Sequence, residues 1–363
     1  TPVLLAGSIA VLITGLIKVG GWDELMHICR AVPVNEYGDT MTQLIRSPKD
    51  AQFPWTGVLL GSAIIGFWYW CTDQYIVQRV LSGRDQTQAR RGAIFGGALK
   101  LTPVFIFLIP GMIAYALNQQ GVITLTSSDS AFSTLVKELL PMGFTGLVVG
   151  GILAALMSSL ASLFNSSATL FTIDFYQKYR PDAPEAQLVK VGRIATVVVV
   201  ILGVLWIPVM KGIGKVLYAY LQDVQSLLAP GIAAAFLLGI LSKKVTPAAG
   251  LTGLLTGFSI GMLRLIFMVF KGFLNPDGAI YQIFVGTNWL HYEIINFAIV
   301  IVTMIVVSYF TPKIDEQRIL GLTLGSATAE QKALTRASWN KWDVIASGFV
   351  IVVVLAFYAY FWN

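Results

Sequence analysis

The chain has 363 residues, of which 56% are hydrophobic and 12% are charged. A soluble domain is usually nearer half apolar and a quarter charged, so this composition excludes an ordinary water-soluble protein. The formal net charge of +6 is modest and is not gathered into a tail or an aromatic-studded strip, which argues against a nucleic-acid partner.

Apolar stretches of roughly 20 residues recur along the chain, which is the length of a helix that crosses a hydrocarbon core about 30 Å thick. Strands of a membrane barrel alternate apolar and polar residues, and these stretches do not. We therefore predict an all-α polytopic membrane protein with a single transmembrane domain over 1–363 and a short amphipathic helix at 130–140. The predicted spans are 2–20, 55–79, 91–118, 143–176, 186–210, 214–240, 245–270, 290–312 and 341–362.

The distribution of lysine and arginine between the loops predicts the orientation of these spans. Loops on one side carry 15 of these residues and loops on the other side carry 8. Because positive charge accumulates in cytoplasmic loops, the first set should be cytoplasmic. The loops 21–54, 119–142 and 271–289 then face outside, as does the C-terminus, and the expected location is the plasma (inner) membrane.

The span 55–79 contains three consecutive aromatic residues, Trp68, Tyr69 and Trp70. Consecutive residues point around a helix, and these lie about 20 Å from the outer end, too deep for an interfacial aromatic belt. Aromatic rings stack on the C–H face of a sugar, and their polar tips reach ring hydroxyls. A sugar site is therefore one interpretation, and packing against lipid or neighbouring helices is the other.

Lys100 lies inside the span 91–118, about 13 Å from its cytoplasmic end. A lysine stem reaches only about 6 Å towards an interface, so the ammonium group should face a water-filled cavity or a partner. The alternative is a purely structural pair with a neighbouring carbonyl or acid.

Ala155, Ser158 and Ser159 in the span 143–176 stand at i, i+3 and i+4 and therefore share one helix face. Serine hydroxyls and backbone carbonyls are hard oxygen ligands, the type that a small hard cation prefers. Small residues also allow helices to pack closely, which is the alternative interpretation.

Gln222 lies about 12 Å inside the span 214–240, with Asp223 beside it and Pro230 further along. We expect the proline to break the helix, a feature that transporters place around their substrates. An amide that only joins two helices is the alternative for Gln222. Arg264 lies near the outer end of its span, where we expect it to extend to the interface in a structural role.

The polar side chains that cost energy to place in hydrocarbon lie near one depth of the predicted bilayer. Measured from the outer face, Gln222 is about 12 Å deep, Lys100 about 17 Å, and Tyr69 and Ser158 about 21 Å. Secondary transporters hold substrate and coupling ion near this level.

Four strings in these spans resemble, in order and spacing, the sodium/glucose cotransporters of the sodium:solute symporter family. They are WYWCTDQYIVQR (68–79), ALKLTPVFIFLIPGMIAYAL (98–117), ALMSSLASLFNSSATLFTIDFY (155–176) and YLQ…LLAPGIAAAFLLGILSKK (220–244). The resemblance implies the leucine-transporter-like inverted-repeat fold with alternating access. Within it, 2–20 would be the last helix of the first repeat, 55–240 the second repeat, and 245–362 the peripheral helices.

The resemblance also implies roles for the candidate residues. Tyr69 would stack on the sugar as an inner gate, Trp70 and Lys100 would bind it, and Gln222 would hydrogen-bond its hydroxyls. Trp68 would be a pocket neighbour, and Gly66 stands where the family often has Thr or Asn, so one hydrogen bond is missing or replaced by water. The sodium ligands would be Ala155, through its carbonyl, Ser158 and Ser159.

One departure from the family lies at the start of the sequence. The first helices of the family, with the other broken helix and further ligands, have no counterpart here, and TPVLLAGSIA reads as a span already under way. Roughly half of the binding site would then be present, so either the sequence is truncated or the product does not transport.

The sequence thus predicts sodium-coupled symport of a monosaccharide of the glucose/galactose type, with sodium, sugar and the lipid bilayer as partners. It predicts no cofactor apart from the coupling ion. Another solute such as myo-inositol or sialic acid is one alternative, and a sugar sensor or leak protein is a second. A membrane enzyme would need a nucleophile–base pair or a metal cluster, and the two cysteines and two histidines show no such spacing.

Overall fold

The computed structural model describes residues 2–31, 33–213 and 216–362. Within these ranges it contains helices and no β-strand, apart from an isolated bridge between Pro33 and Thr40. Three short π-helical segments, Val104–Leu108, Phe171–Tyr176 and Gln282–Gly286, continue or join α-helices. The α-helices are α1 (Pro2–Val19), α2 (Trp22–Ala31), α3 (Trp55–Cys71), α4 (Gln74–Leu81), α5 (Gln86–Leu99), α6 (Ile109–Gln119), α7 (Ala131–Leu139), α8 (Met142–Leu170), α9 (Gln177–Tyr179), α10 (Glu185–Ile213), α11 (Leu217–Leu241), α12 (Pro247–Val269), α13 (Ala279–Tyr281), α14 (Trp289–Phe310), α15 (Ala329–Ala337) and α16 (Lys341–Tyr360).

Seven helices in the described ranges are long and apolar enough to cross a membrane, and each coincides with a predicted span. An eighth candidate is the pair Val3–Val19 and Trp22–Ala31, which is bent by 76°. The chain is therefore an all-α polytopic membrane protein, and α7 confirms the predicted amphipathic helix. The seven are Gln86–Gln119, Met142–Tyr179, Glu185–Met210, Leu217–Leu241, Pro247–Val269, Trp289–Phe310 and Lys341–Tyr360.

The predicted continuous span 55–79 is wrong, because the helix ends after 17 residues and a second helix of 8 residues follows. The backbone N–H groups of Thr72 and Asp73 both donate to the carbonyl oxygen of Trp68 at 3.0 Å. The Thr72 hydroxyl donates to the same oxygen at 2.8 Å. The Asp73 side chain then accepts from the N–H of Tyr75 and caps α4.

Pro230 does not break its helix, contrary to the sequence prediction, since α11 runs from Leu217 to Leu241 with the proline inside it. The helices α2 and α15 were not predicted, because each is only 9 or 10 residues long and both lie in stretches interpreted as loops. In α2, only Leu25, Met26 and Cys29 are buried, so its apolar face is short.

The chain forms two compact units. Unit 1 comprises Thr1–Val34, Thr40–Thr42 and Leu99–Gly214, and unit 2 comprises Asn35–Asp39, Gln43–Ala98 and Lys215–Asn363. The predicted division into inverted repeats and peripheral helices stays a prediction.

Unit 2 is built around α3, α11, α12 and α14, and glycines allow these helices to approach closely. Gly253, Gly257 and Gly261 recur every fourth residue on α12. A Cβ atom on Gly257 would lie 2.6 Å from the Cα of Gly231 on α11, and one on Gly261 would collide with the carbonyl oxygen of Leu227. Such small-residue stripes are typical of packed membrane helices.

The α3 helix joins this core through two further glycines. Leu290 of α14 fits against Gly57 and Gly61, where a Cβ atom would lie 2.7 Å and 2.9 Å from its side chain. Leu290 also belongs to a buried cluster with Ile65, Ala229 and Trp289.

Unit 1 packs α1 against α6, α7 and α8, and α8 against α10. Small residues again mark the contacts, because Gly7 faces Val148 and Gly15 faces Ile113. The amide of Gln120 donates to the carbonyl oxygen of Val19 at 3.0 Å and so ties the end of α6 to the end of α1.

Candidate functional site

The three aromatic residues predicted to bind sugar form the last turn of α3, directly before the break at Thr72. The rings of Tyr69 and Trp70 meet edge to face, with centroids 5.4 Å apart. Trp68 is half-buried and packs on the cluster that contains Ile65. Trp70 is 41% exposed, so the triplet faces both the core and open space.

The interrupted helix is the feature of unit 2 that most favours a binding site. A helix that stops inside a bilayer exposes backbone polar groups, and transporters tolerate such breaks where they line a cavity. Gly66 lies one turn before the break and borders open space, since a Cβ atom built on it would meet no described atom within 4 Å.

Gln222 lies half-buried on α11, which packs against α3. The two helices run in the same direction, because the ring of Phe53 lies near that of Tyr218 at their starts, and Ile65 and Ala229 belong to one buried cluster further along. Gln222 therefore lies near the start of the stretch over which α3 and α11 run side by side. Tyr69 lies near the other end of that stretch, beyond the level of Ile65 and Ala229. This order agrees with the predicted depths, in which Gln222 is the shallower residue.

A buried ion pair lies beside Gln222 and was not predicted. Nη2 of Arg264 lies 3.4 Å from Oδ1 of Asp223, and the two side chains are only 2% and 1% exposed. The same nitrogen donates to the carbonyl oxygen of Thr287 at 3.1 Å, and the guanidinium carbon lies 4.2 Å from the ring centre of Tyr292. The expectation that Arg264 extends to the interface is therefore wrong.

This ion pair gives Asp223 the role that sequence reasoning could not assign. The pair joins α11 to α12, and removing one partner would leave an uncompensated buried charge. Gln222 precedes Asp223 and points about 100° away from it around the helix. A rotation of α11 that moved Asp223 away from Arg264 would therefore also redirect the amide of Gln222.

Lys100 belongs to unit 1 and lies, exposed, in a turn between α5 and the π-helical segment Val104–Leu108. The hydroxyl of Thr102 donates to the carbonyl oxygen of Leu99 at 2.7 Å and stabilises this turn. π-Helical segments occur frequently at functional sites. The regular span expected around Lys100 is thus locally irregular.

The predicted sodium ligands also belong to unit 1 and lie on α8. Ala155 is half-buried, and Ser158 and Ser159 are exposed. The hydroxyl of Ser162 donates to the carbonyl oxygen of Ser158 at 3.1 Å, and Ser166 donates to Ser162 at 3.0 Å. This face of α8 offers two hydroxyl groups and a carbonyl, a set of hard oxygen ligands that needs further ligands to complete a cation site.

The predicted residues are thus divided between the two units. Unit 2 holds Gly66, Trp68, Tyr69, Trp70 and Gln222, and unit 1 holds Lys100, Ala155, Ser158 and Ser159.

Within the described ranges, the structure contains no group of three or more His, Cys, Asp or Glu residues placed to hold a metal ion.

Comparison with known proteins gives a consistent result. The model of the sodium:solute symporter family matches residues 1–257. A sodium/mannose cotransporter of Bos taurus is 35% identical over 99% of this chain and 66% of its own length. Sodium/glucose cotransporter 4 of Mus musculus is 34% identical over 89% of this chain and 51% of its own length.

A third relative, sodium/glucose cotransporter 1 of Ovis aries, is 35% identical over 87% of this chain and 52% of its own length. The chain therefore spans between about half and two thirds of the length of the curated relatives it matches.

Proposed function

Since this chain belongs to the sodium:solute symporter family, a family of transporters and not of enzymes, we propose that it forms a large part of a sodium-coupled monosaccharide symporter. The observation that carries the proposal is the break in α3 one residue after three aromatic residues, beside a helix in which Gln222 precedes the aspartate of a buried ion pair. The proposed location is the plasma or inner membrane, with the C-terminus outside.

The sugar side of the proposed site lies in unit 2. Tyr69 stacks on the ring of the sugar and acts as the inner gate, and Trp70 contacts the same ligand. Gln222 accepts from and donates to sugar hydroxyls, since its amide offers both functions. Gly66 leaves room for a water molecule where a longer polar side chain would contact the sugar directly.

The sodium side lies in unit 1. Ala155, Ser158 and Ser159 supply three oxygens for the coupling ion, and Lys100 donates to sugar hydroxyls. Sodium bound to this face of α8 favours an outward-open state, the sugar binds next, and inward opening releases both. The effect of sodium on the equilibrium follows from linkage, because an ion that binds one state better shifts the population towards it.

The proposed substrate is of the glucose/galactose type, and mannose is a close alternative because a relative is a sodium/mannose cotransporter. Myo-inositol and sialic acid are the other candidate substrates to be tested. Counterflow measurements with these compounds separate them, because only a transported solute exchanges with labelled sugar inside the vesicle.

A sugar sensor or leak protein is less well supported than a symporter. An unpaired charge at Asp223 beside the proposed sugar site would favour it, but this carboxylate has a structural partner in Arg264. Sodium-driven accumulation of sugar in vesicles separates the two functions, since a sensor or leak protein binds or passes sugar without concentrating it.

The test of the sugar site is Gln222→Ala in the complete protein, reconstituted in proteoliposomes. The loss of hydrogen bonds worth about 1 kcal/mol each predicts a fall of about ten-fold or more in sugar affinity, with the fold retained. The exposed Gln119 at the end of α6 provides a matched control as Gln119→Ala. Unchanged sodium-driven uptake kinetics in Gln222→Ala would remove Gln222 from the site.

A further inference from the structure

The α14 helix carries, one turn from its start, a buried glutamate that the proposed transport mechanism does not use. Glu293 is fully buried, and so is Asn296, which lies three residues further on and therefore on the same face of the helix. An isolated carboxylate is among the most costly groups to place in hydrocarbon, and such residues are usually functional.

The oxygens of these two side chains lack donors. The carboxyl group of Glu293 lies beside the backbone N–H of Ile65 in α3. Yet neither of its oxygens has a hydrogen-bond partner of adequate geometry among the residues that the structure describes. Oδ1 of Asn296 is also without a donor in the described ranges, while its Nδ2 donates to the carbonyl oxygen of Gly257 at 3.4 Å.

Neighbouring charges do not neutralise Glu293. Arg264 is the only charged residue in α12, and it forms an ion pair with Asp223. His291 on α14 is engaged with the hydroxyl of Thr56 at 2.8 Å. The other titratable residues on α14 and on the helices packed against it are Asp223, Tyr218 and Tyr220 on α11, Tyr69 and Cys71 on α3, and Tyr292 and Tyr309 on α14 itself.

A bound cation could accept all three of these oxygens as ligands, whereas one proton would remove the charge of the acid and supply a single O–H donor. A metal cation such as sodium needs several oxygen ligands, and α14 offers these three against an α3 surface of Gly57, Gly61 and Ile65. A single proton, in contrast, gives the acid a donor that the amide oxygen one turn away can accept, and the remaining oxygen of the acid lies beside the N–H of Ile65. The surroundings of Glu293 therefore favour the proton.

We propose that Glu293 is a buried proton-binding site, in which the protonated carboxyl group donates to Oδ1 of Asn296. The proton comes from water and returns to water when α14 and α3 separate enough to hydrate the carboxyl group. Ile65, beside Glu293, lies one turn before the aromatic residues that precede the break in α3. Proton release is therefore linked to movement of the helix that carries the proposed sugar site.

Infrared difference spectroscopy of the full-length protein tests this proposal without any transport measurement. Raising the pH should remove the carbonyl stretch of one protonated carboxyl group from the wild type, and Glu293→Gln should lack that band at every pH. The amide that this substitution introduces still offers a donor to Oδ1 of Asn296, so the variant should fold. The exposed Glu185 provides the matched control as Glu185→Gln.

Two results would overturn the proposal. A protonated-carboxyl band that persists in Glu293→Gln assigns the proton to another residue. A wild-type band that disappears on addition of sodium at constant pH shows that the group binds a metal cation instead.

Sodium-driven uptake in proteoliposomes adds a second readout. Uptake by the wild type should depend on pH, and Glu293→Gln should flatten that dependence while Glu185→Gln keeps it. A dependence unaltered in Glu293→Gln would show that the site is not linked to transport. Absence of uptake in all variants would count against the proposed function and leave the infrared result intact as the test of the proton site.

Discussion

Two regions of equal apolarity, α11 with its neighbours in unit 2 and the α8–α10 pair in unit 1, are packed in different ways. Of the 18 most apolar consecutive residues of α11, 39% are buried. The corresponding share is 11% in the span that contains α8 and zero in α10. Asp223 of α11 forms an ion pair with Arg264 on another helix, whereas the hydroxyls of Ser162 and Ser166 on α8 donate to carbonyls of their own helix. Among the residues that the structure describes, α11 is covered by the other helices of unit 2, whereas α8 and α10 keep most of their apolar surface uncovered.

Removal of one partner of the buried ion pair should have the largest effect on the stability of the packing around α11. Arg264→Met leaves the Asp223 carboxylate buried without its partner, which costs about 3–5 kcal/mol of stability in comparable pairs. Thermal or denaturant unfolding of the purified protein measures the loss. The double variant Asp223→Asn/Arg264→Met should recover more than half of it, because no unpaired charge remains.

The double variant also tests what the pair does for Gln222. If the pair orients α11, the double variant should be stable yet bind sugar more weakly, with the sodium activation curve unchanged. Equal destabilisation by the single and double variants would show that Arg264 acts through packing and not through its charge.

The glycine stripe of α12 gives the next largest effect. Gly261→Ala places a Cβ atom against the backbone carbonyl of Leu227, which cannot move aside without shifting α11. Overpacking of this kind usually costs about 1–3 kcal/mol. The matched control is Gly203→Ala on α10, where a Cβ atom would meet nothing within 4 Å among described residues.

Gly203→Ala should leave the unfolding temperature unchanged or raise it slightly, since alanine favours a helix over glycine. If both variants lost the same stability, the close approach of α11 and α12 would not be the reason for the stripe. If neither lost any, the interface between these helices would be more adaptable than its contacts indicate.

The sequence predicted most of the spans because each is a long apolar stretch, and length with composition is enough to identify a membrane helix. It did not predict the break after Cys71, because Asp73 looks like one more polar residue until its role as a helix cap is visible. The partnership of Asp223 with Arg264 was also hidden. The two residues are 41 positions apart on different helices, and periodicity within one helix carries no information about such pairs.

The candidate site shows the same division between local and distant information. Spacing alone placed Ala155, Ser158 and Ser159 on one face, since that is a property of a single helix. Glu293 could have been noticed as an acid inside an apolar stretch, but its burial and its lack of a described donor depend on α3 and α12. What the sequence could not supply is therefore the set of contacts between helices.

The smallest expected effect lies on α8 and sharpens the contrast with α11. Ser159→Ala removes one exposed hydroxyl, so the unfolding temperature should not change, in contrast to the variants of α11 and α12. If Ser159 is a sodium ligand, the loss of one neutral oxygen worth about 1 kcal/mol should raise the sodium concentration for half-maximal uptake about five-fold. The exposed Ser133 on α7 serves as the control, and Ser133→Ala should change neither quantity. A lower unfolding temperature with an unaltered sodium activation curve would assign Ser159 to helix packing, and α8 would then resemble α11 after all.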